Sequence, residues 1–208
     1  RMDGSGGLVF NGNNGYDGLT DLTTGTLTLA GNNIGASGGV TMAALTTLNI
    51  NHAAALGTGT FTINGGTIDN TTAGVITLSA NNTQLWNGSF AFTGTRDLNL
   101  GTGDVALGST PTITVGAKNL TVGGVISGGF GVTKAGAGTL ILSGLSSIAA
   151  NNYDGTTTLD GGTLSITANT AFAGGLTFGA AAAGTNLSNL NLSTADASFD
   201  GAMLVQTN

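Results

Sequence analysis

The chain has a single histidine, His52, and neither cysteine nor glutamate, so few reactions are open to it. A Cys/His nucleophile pair or a three-ligand catalytic zinc site lacks its parts. Carboxylate pairs remain. Asp97, Asp104, Asp154 and Asp160, with Arg96 as a substrate clamp, could cleave glycosides if two acids met on neighbouring strands. Most of these aspartates stand beside glycine, where they read as turn residues. Gly101-Thr102-Gly103-Asp104 is a lone partial match to a calcium-binding glycine-rich repeat and does not recur. The Thr-x-Thr pairs Thr26/Thr28 and Thr112/Thr114 would suit a hydroxyl ladder that orders ice. They follow no fixed period, and exposed strand faces favour threonine anyway. His52, within residues 51–57, has Thr170 at what reads as the matching corner, so no imidazole is required there. No catalytic, cofactor-binding or metal-binding residue is therefore assigned, and no cofactor is expected.

The elements that would position these side chains are short strands. Of 208 residues 38 are Gly and only 1 is Pro, and charged residues make up 7% while hydrophobic ones reach 40%. That balance excludes disorder, which needs high charge and low hydrophobicity, and it excludes collagen, which needs proline and a three-residue glycine period. All ten acidic residues are Asp and Lys plus Arg number 4, so the residues that coat long helices are missing. Asp3, Asp17, Asp154, Asp160 and Asp200 each precede Gly, a pairing suited to tight reversals. The formal charge of −6 with four basic residues leaves no patch for nucleic acid. No apolar run is long enough for a membrane-spanning helix. The opening Arg1-Met2-Asp3, without an initiator Met or a leader pattern, reads as a processed or partial chain.

Period-two alternation predicts strands over residues 89–92, 97–100, 104–107, 112–115, 119–122 and 189–192. Whole motifs recur. Thr24-Gly25-Thr26-Leu27-Thr28-Leu29, closing on Asn32-Asn33, returns as Ala73-Gly74-Val75-Ile76-Thr77-Leu78, closing on Asn81-Asn82, and again over 137–144 with Asn151-Asn152 beyond. Phe61-Thr62-Ile63-Asn64-Gly65-Gly66-Thr67-Ile68 is matched by residues 158–166. A hairpin sandwich or barrel would use many short strands too, but repetition and low aromatic content favour a solenoid. The expectation is one all-β domain over residues 1–208, a single-stranded parallel β-solenoid (β-helix) of roughly nine coils of about 20–24 residues. Its inward side chains would include Leu27, Leu29, Phe61, Ile63, Phe90, Phe92, Leu98, Leu100, Ile113, Val115, Leu120, Val122, Leu140, Leu142, Leu164 and Ile166. The paired asparagines, with Asn13-Asn14, would bond to one another up the stack or take left-handed turns. Residues 179–185, all small, read as a loop or a tight corner.

Gly136-Ala137-Gly138-Thr139-Leu140-Ile141-Leu142-Ser143-Gly144, followed by Tyr153-Asp154-Gly155-Thr156-Thr157 and Gly161-Gly162-Thr163-Leu164, resembles the autotransporter passenger-associated repeat. Weaker copies at 56–68 and 122–128 extend the likeness over most of the chain. The resemblance implies a right-handed parallel solenoid on a bacterial extracellular or cell-surface protein, a stalk or adhesin without catalysis of its own. With no membrane barrel in the sequence, it implies an excised passenger or a free-standing subunit. The leading expectation is a non-catalytic structural subunit whose partner is itself, copies associating through coil ends into a fibre or surface layer. The alternative is a monomeric adhesin or stalk binding glycan or cell-surface components. A polysaccharide-modifying enzyme ranks third.

Overall fold

A computed structural model describes residues 1–144, 152–167, 170–171, 175–178, 189–192, 197–198 and 203–205. Every strand pairing among them is parallel, and sequential strands fall on different sheets. Hairpin connections are thereby excluded for these residues, since a hairpin makes antiparallel neighbours. The chain winds from one face to the next, and each strand lies on its counterpart from the previous turn.

Three faces enclose the core. The longest carries Gly7–Phe10, Gly25–Leu29, Thr46–Ile50, Thr67–Asp69, Phe90–Phe92, Thr112–Val115, Val132–Ala135, Thr157–Leu159, Leu176–Phe178 and Met203–Val205, in that order. A second, seven-stranded face runs from Thr20–Leu22 through Val40–Met42, Phe61–Ile63, Gln84–Trp86, Val105–Leu107 and Ile126–Gly128 to Asn152–Tyr153. The third, six-stranded, begins only at Ile76–Thr77 and continues with Leu98–Asn99, Asn119–Val122, Thr139–Leu142, Thr163–Ile166 and Asn189–Leu192. Thr170–Ala171 and Ala197–Ser198 pair separately. The solenoid has about seven turns, a small difference from the nine expected. Residues 30–39 and 51–60, which lead from the longest face to the second, form no strand, which is why the third face begins only at Ile76–Thr77.

Strand parity sets the core. Alternate side chains point inward, and all sixteen positions expected to be internal are buried, from Leu27 to Ile166. They stack in columns through the turns. Leu98, Leu120, Leu140 and Leu164 are in register on the third face, and Leu27, Leu48, Ile68, Phe92 and Val115 on the longest. Each buried member contributes about 1.5–3 kcal/mol.

The motif equivalences read from the sequence need one correction. Gly25–Leu29 lies on the longest face, but Ile76–Thr77 and Thr139–Leu142, its apparent repeats, lie on the third. Asn64-Gly65-Gly66 turns the chain from the second face to the longest, whereas Asp160-Gly161-Gly162 turns it from the longest to the third. One strand-and-corner phrase thus serves at different corners, because each corner needs only a residue tolerant of positive φ (Gly25 82°, Gly66 92°, Gly136 80°, Gly162 65°).

Candidate functional site

The acids do not assemble into a pair. Asp97 leads from the longest face into Leu98–Asn99, Asp104 leads into Val105–Leu107, Asp154 follows Asn152–Tyr153 and Asp160 follows Thr157–Leu159, which distributes them over three corners. Two act as clips between turns. Asp97 accepts hydrogen bonds from the Asn119 backbone N–H (3.0 Å) and side-chain amide (3.2 Å), and Asp104 accepts one from Val125 N–H (3.0 Å). Arg96 folds back, its Nε donating to Ala73 O (3.3 Å) and Nη1 to Thr95 O (2.7 Å). His52 is half-buried, and its Nδ1 accepts the Ala54 N–H at 3.0 Å, closing a local turn. Thr170 is not its counterpart, since it lies in a strand paired with Ala197. The other residues of that comparison, 169 and 172–174, lie outside the described residues.

Asn13-Asn14 and Asn32-Asn33 bond to one another as expected, while Asn81 and Asn82 bond to main-chain groups of neighbouring turns. Asn14 Nδ2 donates to Asn33 Oδ1 (2.9 Å), Asn32 N–H to Asn13 Oδ1 (3.2 Å), and Asn33 Nδ2 to Ala55 O (2.7 Å). Asn81 adopts φ 50° and caps Thr102 N–H (2.9 Å). Asn151, the side chain of Asn152 and the run 179–185 lie outside the described residues. The threonines, aperiodic in sequence, align in space: Thr26, Thr47 and Thr67 occupy one outward column of the longest face, and Thr112, Thr133, Thr158 and Thr177 another.

Lys134 and Tyr153 are among the buried polar groups that escaped the sequence reading. Lys134 is inward-facing on Val132–Ala135, in register between Ile113 and Leu159, and is 0% exposed. Its Nζ donates to Ala135 O (2.8 Å), Gly136 O (2.9 Å) and Gly161 O (3.1 Å), so three protons meet three carbonyls and two turns are tied together. The signal was present, since Val132 and Lys134 share strand parity. Tyr153 is also fully buried, its hydroxyl bonded to Thr157 Oγ1.

These two groups set opposite pH dependences. Burial lowers the Lys134 pKa to about 8, against roughly 10.4 for an unfolded lysine. Between those values the unfolded chain holds the extra proton, so stability rises with pH. Burial raises the Tyr153 pKa to about 12, against the opposing pull of the Thr157 bond, while an unfolded tyrosine ionises near about 10. From there upward the unfolded chain loses its proton first and stability falls. Urea unfolding across pH 7–12 should show a maximum near about pH 10. Lys134→Met should flatten the rising limb and Tyr153→Phe the falling one. A profile unchanged by both substitutions would contradict these assignments.

Among the described residues, the longest sheet ends at two edge strands. Of these residues, Gly7–Phe10, last in its sheet, pairs with Gly25–Leu29, and Met203–Val205 at the other limit pairs with Leu176–Phe178. Beside Gly7–Phe10 is a hollow of about 250 Å³ lined chiefly by Met2, Leu8, Phe10, Tyr16, Leu19 and Leu27, with Arg1 and Asp21 also bordering it. Leu8 is 40%, Val9 55% and Leu19 53% exposed. Leu8 continues the inward column of Leu27 and Leu48, so the hollow is the end of the core.

The model of the passenger-associated-transport-repeat family matches residues 1–29 and 132–166, and the second of these segments contains the residues 136–164 on which the resemblance rested. No curated protein and no solved structure matches the chain. The repeat implies a secreted or surface-exposed bacterial protein, and repeat and solenoid together fit an extracellular passenger-like protein.

Proposed function

We propose that this passenger-repeat solenoid is a non-catalytic structural protein whose copies stack end to end into a fibre or surface layer. The observation that carries the reading is the sheet edge at Gly7–Phe10. Among the described residues this strand has a partner on one side alone and lies beside an apolar hollow, and an edge of this kind can pair with a further strand. Met203–Val205 is the opposite edge of the same parallel sheet. A strand from a second copy, laid parallel on Gly7–Phe10, would extend the ladder and fill the hollow with its own inward side chains. Such contacts are heterologous and do not close, so they propagate as filaments. A non-catalytic role accords with the use of Asp97 and Asp104 as inter-turn clips.

Electron microscopy and light scattering over a wide concentration range test this. The chain should form rods that lengthen with concentration. Leu8→Lys, which places an ammonium at the end of the core, should keep it monomeric while leaving its circular dichroism unchanged. Monomers at every concentration would overturn the assembly and favour the stalk or adhesin alternative.

A further inference from the structure

Polar side chains interrupt the aliphatic columns at several described positions, among them Lys134, Thr157 and Gln84. Lys134 has its partners. Gln84 lies on the second face in the inward column of Val40, Phe61, Val105 and Ile126, and it is 3% exposed. Its Oε1 accepts the indole N–H of Trp86 at 3.2 Å, which fixes the amide's orientation, because the reverse would set two donors against each other. Its Nε2 has no partner among the described residues. Two residues earlier Asn82, 2% exposed, is fixed in the same way. Its Nδ2 donates to Gly57 O (2.9 Å) and Gly59 O (2.7 Å), leaving Oδ1 without a partner.

From this pair of groups we infer that Asn82 and Gln84 hold one internal water molecule as a structural ligand. The unmet groups are complementary, one donor and one acceptor, so the ligand must accept from Gln84 Nε2 and donate to Asn82 Oδ1. That excludes a metal ion, which cannot accept a hydrogen bond, and any anion without a proton to donate. A small neutral molecule that does both fits, and water is the one at hand. Leaving two buried amide atoms unpaired costs more than immobilising one water. The location has its own logic. Gln84–Trp86 directly follows Ile76–Thr77, the first strand of the third face. The cross-section therefore changes in this turn, and the carbonyls that Asn82 reaches belong to residues 51–60 of the turn before, which form no strand.

A crystal structure of the chain with ordered solvent should show one water within roughly 2.7–3.2 Å of both Asn82 Oδ1 and Gln84 Nε2. In solution, the Gln84 side-chain amide protons should give cross-relaxation peaks to a long-lived water. Gln84→Met should abolish the water at Asn82. A direct bond between the two amides, or Nε2 turned onto a main-chain carbonyl with no density between, would overturn the inference. So would a water that persists unchanged in Gln84→Met. If that variant does not fold, the wild-type density and cross-peaks decide alone.

Discussion

Leu140→Asp should unfold several turns at once. Leu140 is 0% exposed and stacked between Leu120 and Leu164. The substitution removes a buried aliphatic side chain, worth about 2–5 kcal/mol, and leaves a carboxyl group without a partner in the column, for a total on the order of 5 kcal/mol or more. Each turn is stabilised mainly by its neighbours, so the loss should spread beyond its own strand. Amide hydrogen exchange should show protection falling first in Asn119–Val122, Thr139–Leu142 and Thr163–Ile166. His52→Ala supplies the contrast. It removes one hydrogen bond to Ala54 N–H from a half-buried corner and should cost less than about 1 kcal/mol. Comparable losses from the two substitutions would mean that the inward columns are not what holds the turns together.

Gly94→Val should be nearly as damaging, for a different reason. Gly94 turns the chain out of Phe90–Phe92 with φ 82°, and a Cβ there would lie 1.9 Å from Ala117 O in the next turn's corner. The obstacle is backbone, so no side chain can swing aside. Positive φ in a β-branched residue adds strain of its own. The combined cost is roughly 3–5 kcal/mol, which in a chain of this length lowers the melting temperature by about 10 °C or more. Gly74→Ala is the control, since a Cβ at that corner meets nothing within 4 Å, and its melting temperature should stay within about 3 °C of wild type. Equal shifts for the two variants would show that corner spacing does not limit how closely the turns stack.

Some of the molecule was legible without coordinates because it depends on near neighbours in the chain. Alternation along a strand is a two-residue property, so it placed Leu98, Leu120, Leu140 and Leu164 inside. It placed Lys134 inside as well, and the charge there concealed a position that parity alone would have assigned. The absence of a His/Cys/Glu set was also plain in the residues, and it directed attention to aspartates whose partners, Asn119 and Val125, lie one turn away. Those partners are set by register between turns, which no local pattern records.

The sequence by itself determined that the chain makes short alternating strands, that glycine and asparagine turn its corners, and which side chains point inward. Those properties follow from local sterics and from the two-residue period of a strand. Only the tertiary structure decided which face each strand joins. Gly25-Thr26-Leu27 and Gly138-Thr139-Leu140 spell the same phrase on different sheets, because a strand's face depends on the angles of all the corners before it and on the edge the previous turn offers. The same winding decided that Lys134 meets Gly161, and that one amide atom each of the buried Asn82 and Gln84 has no partner among the described residues. Hydrogen-bond satisfaction in a solenoid is settled between turns, some twenty residues apart in the chain and one strand spacing apart in space.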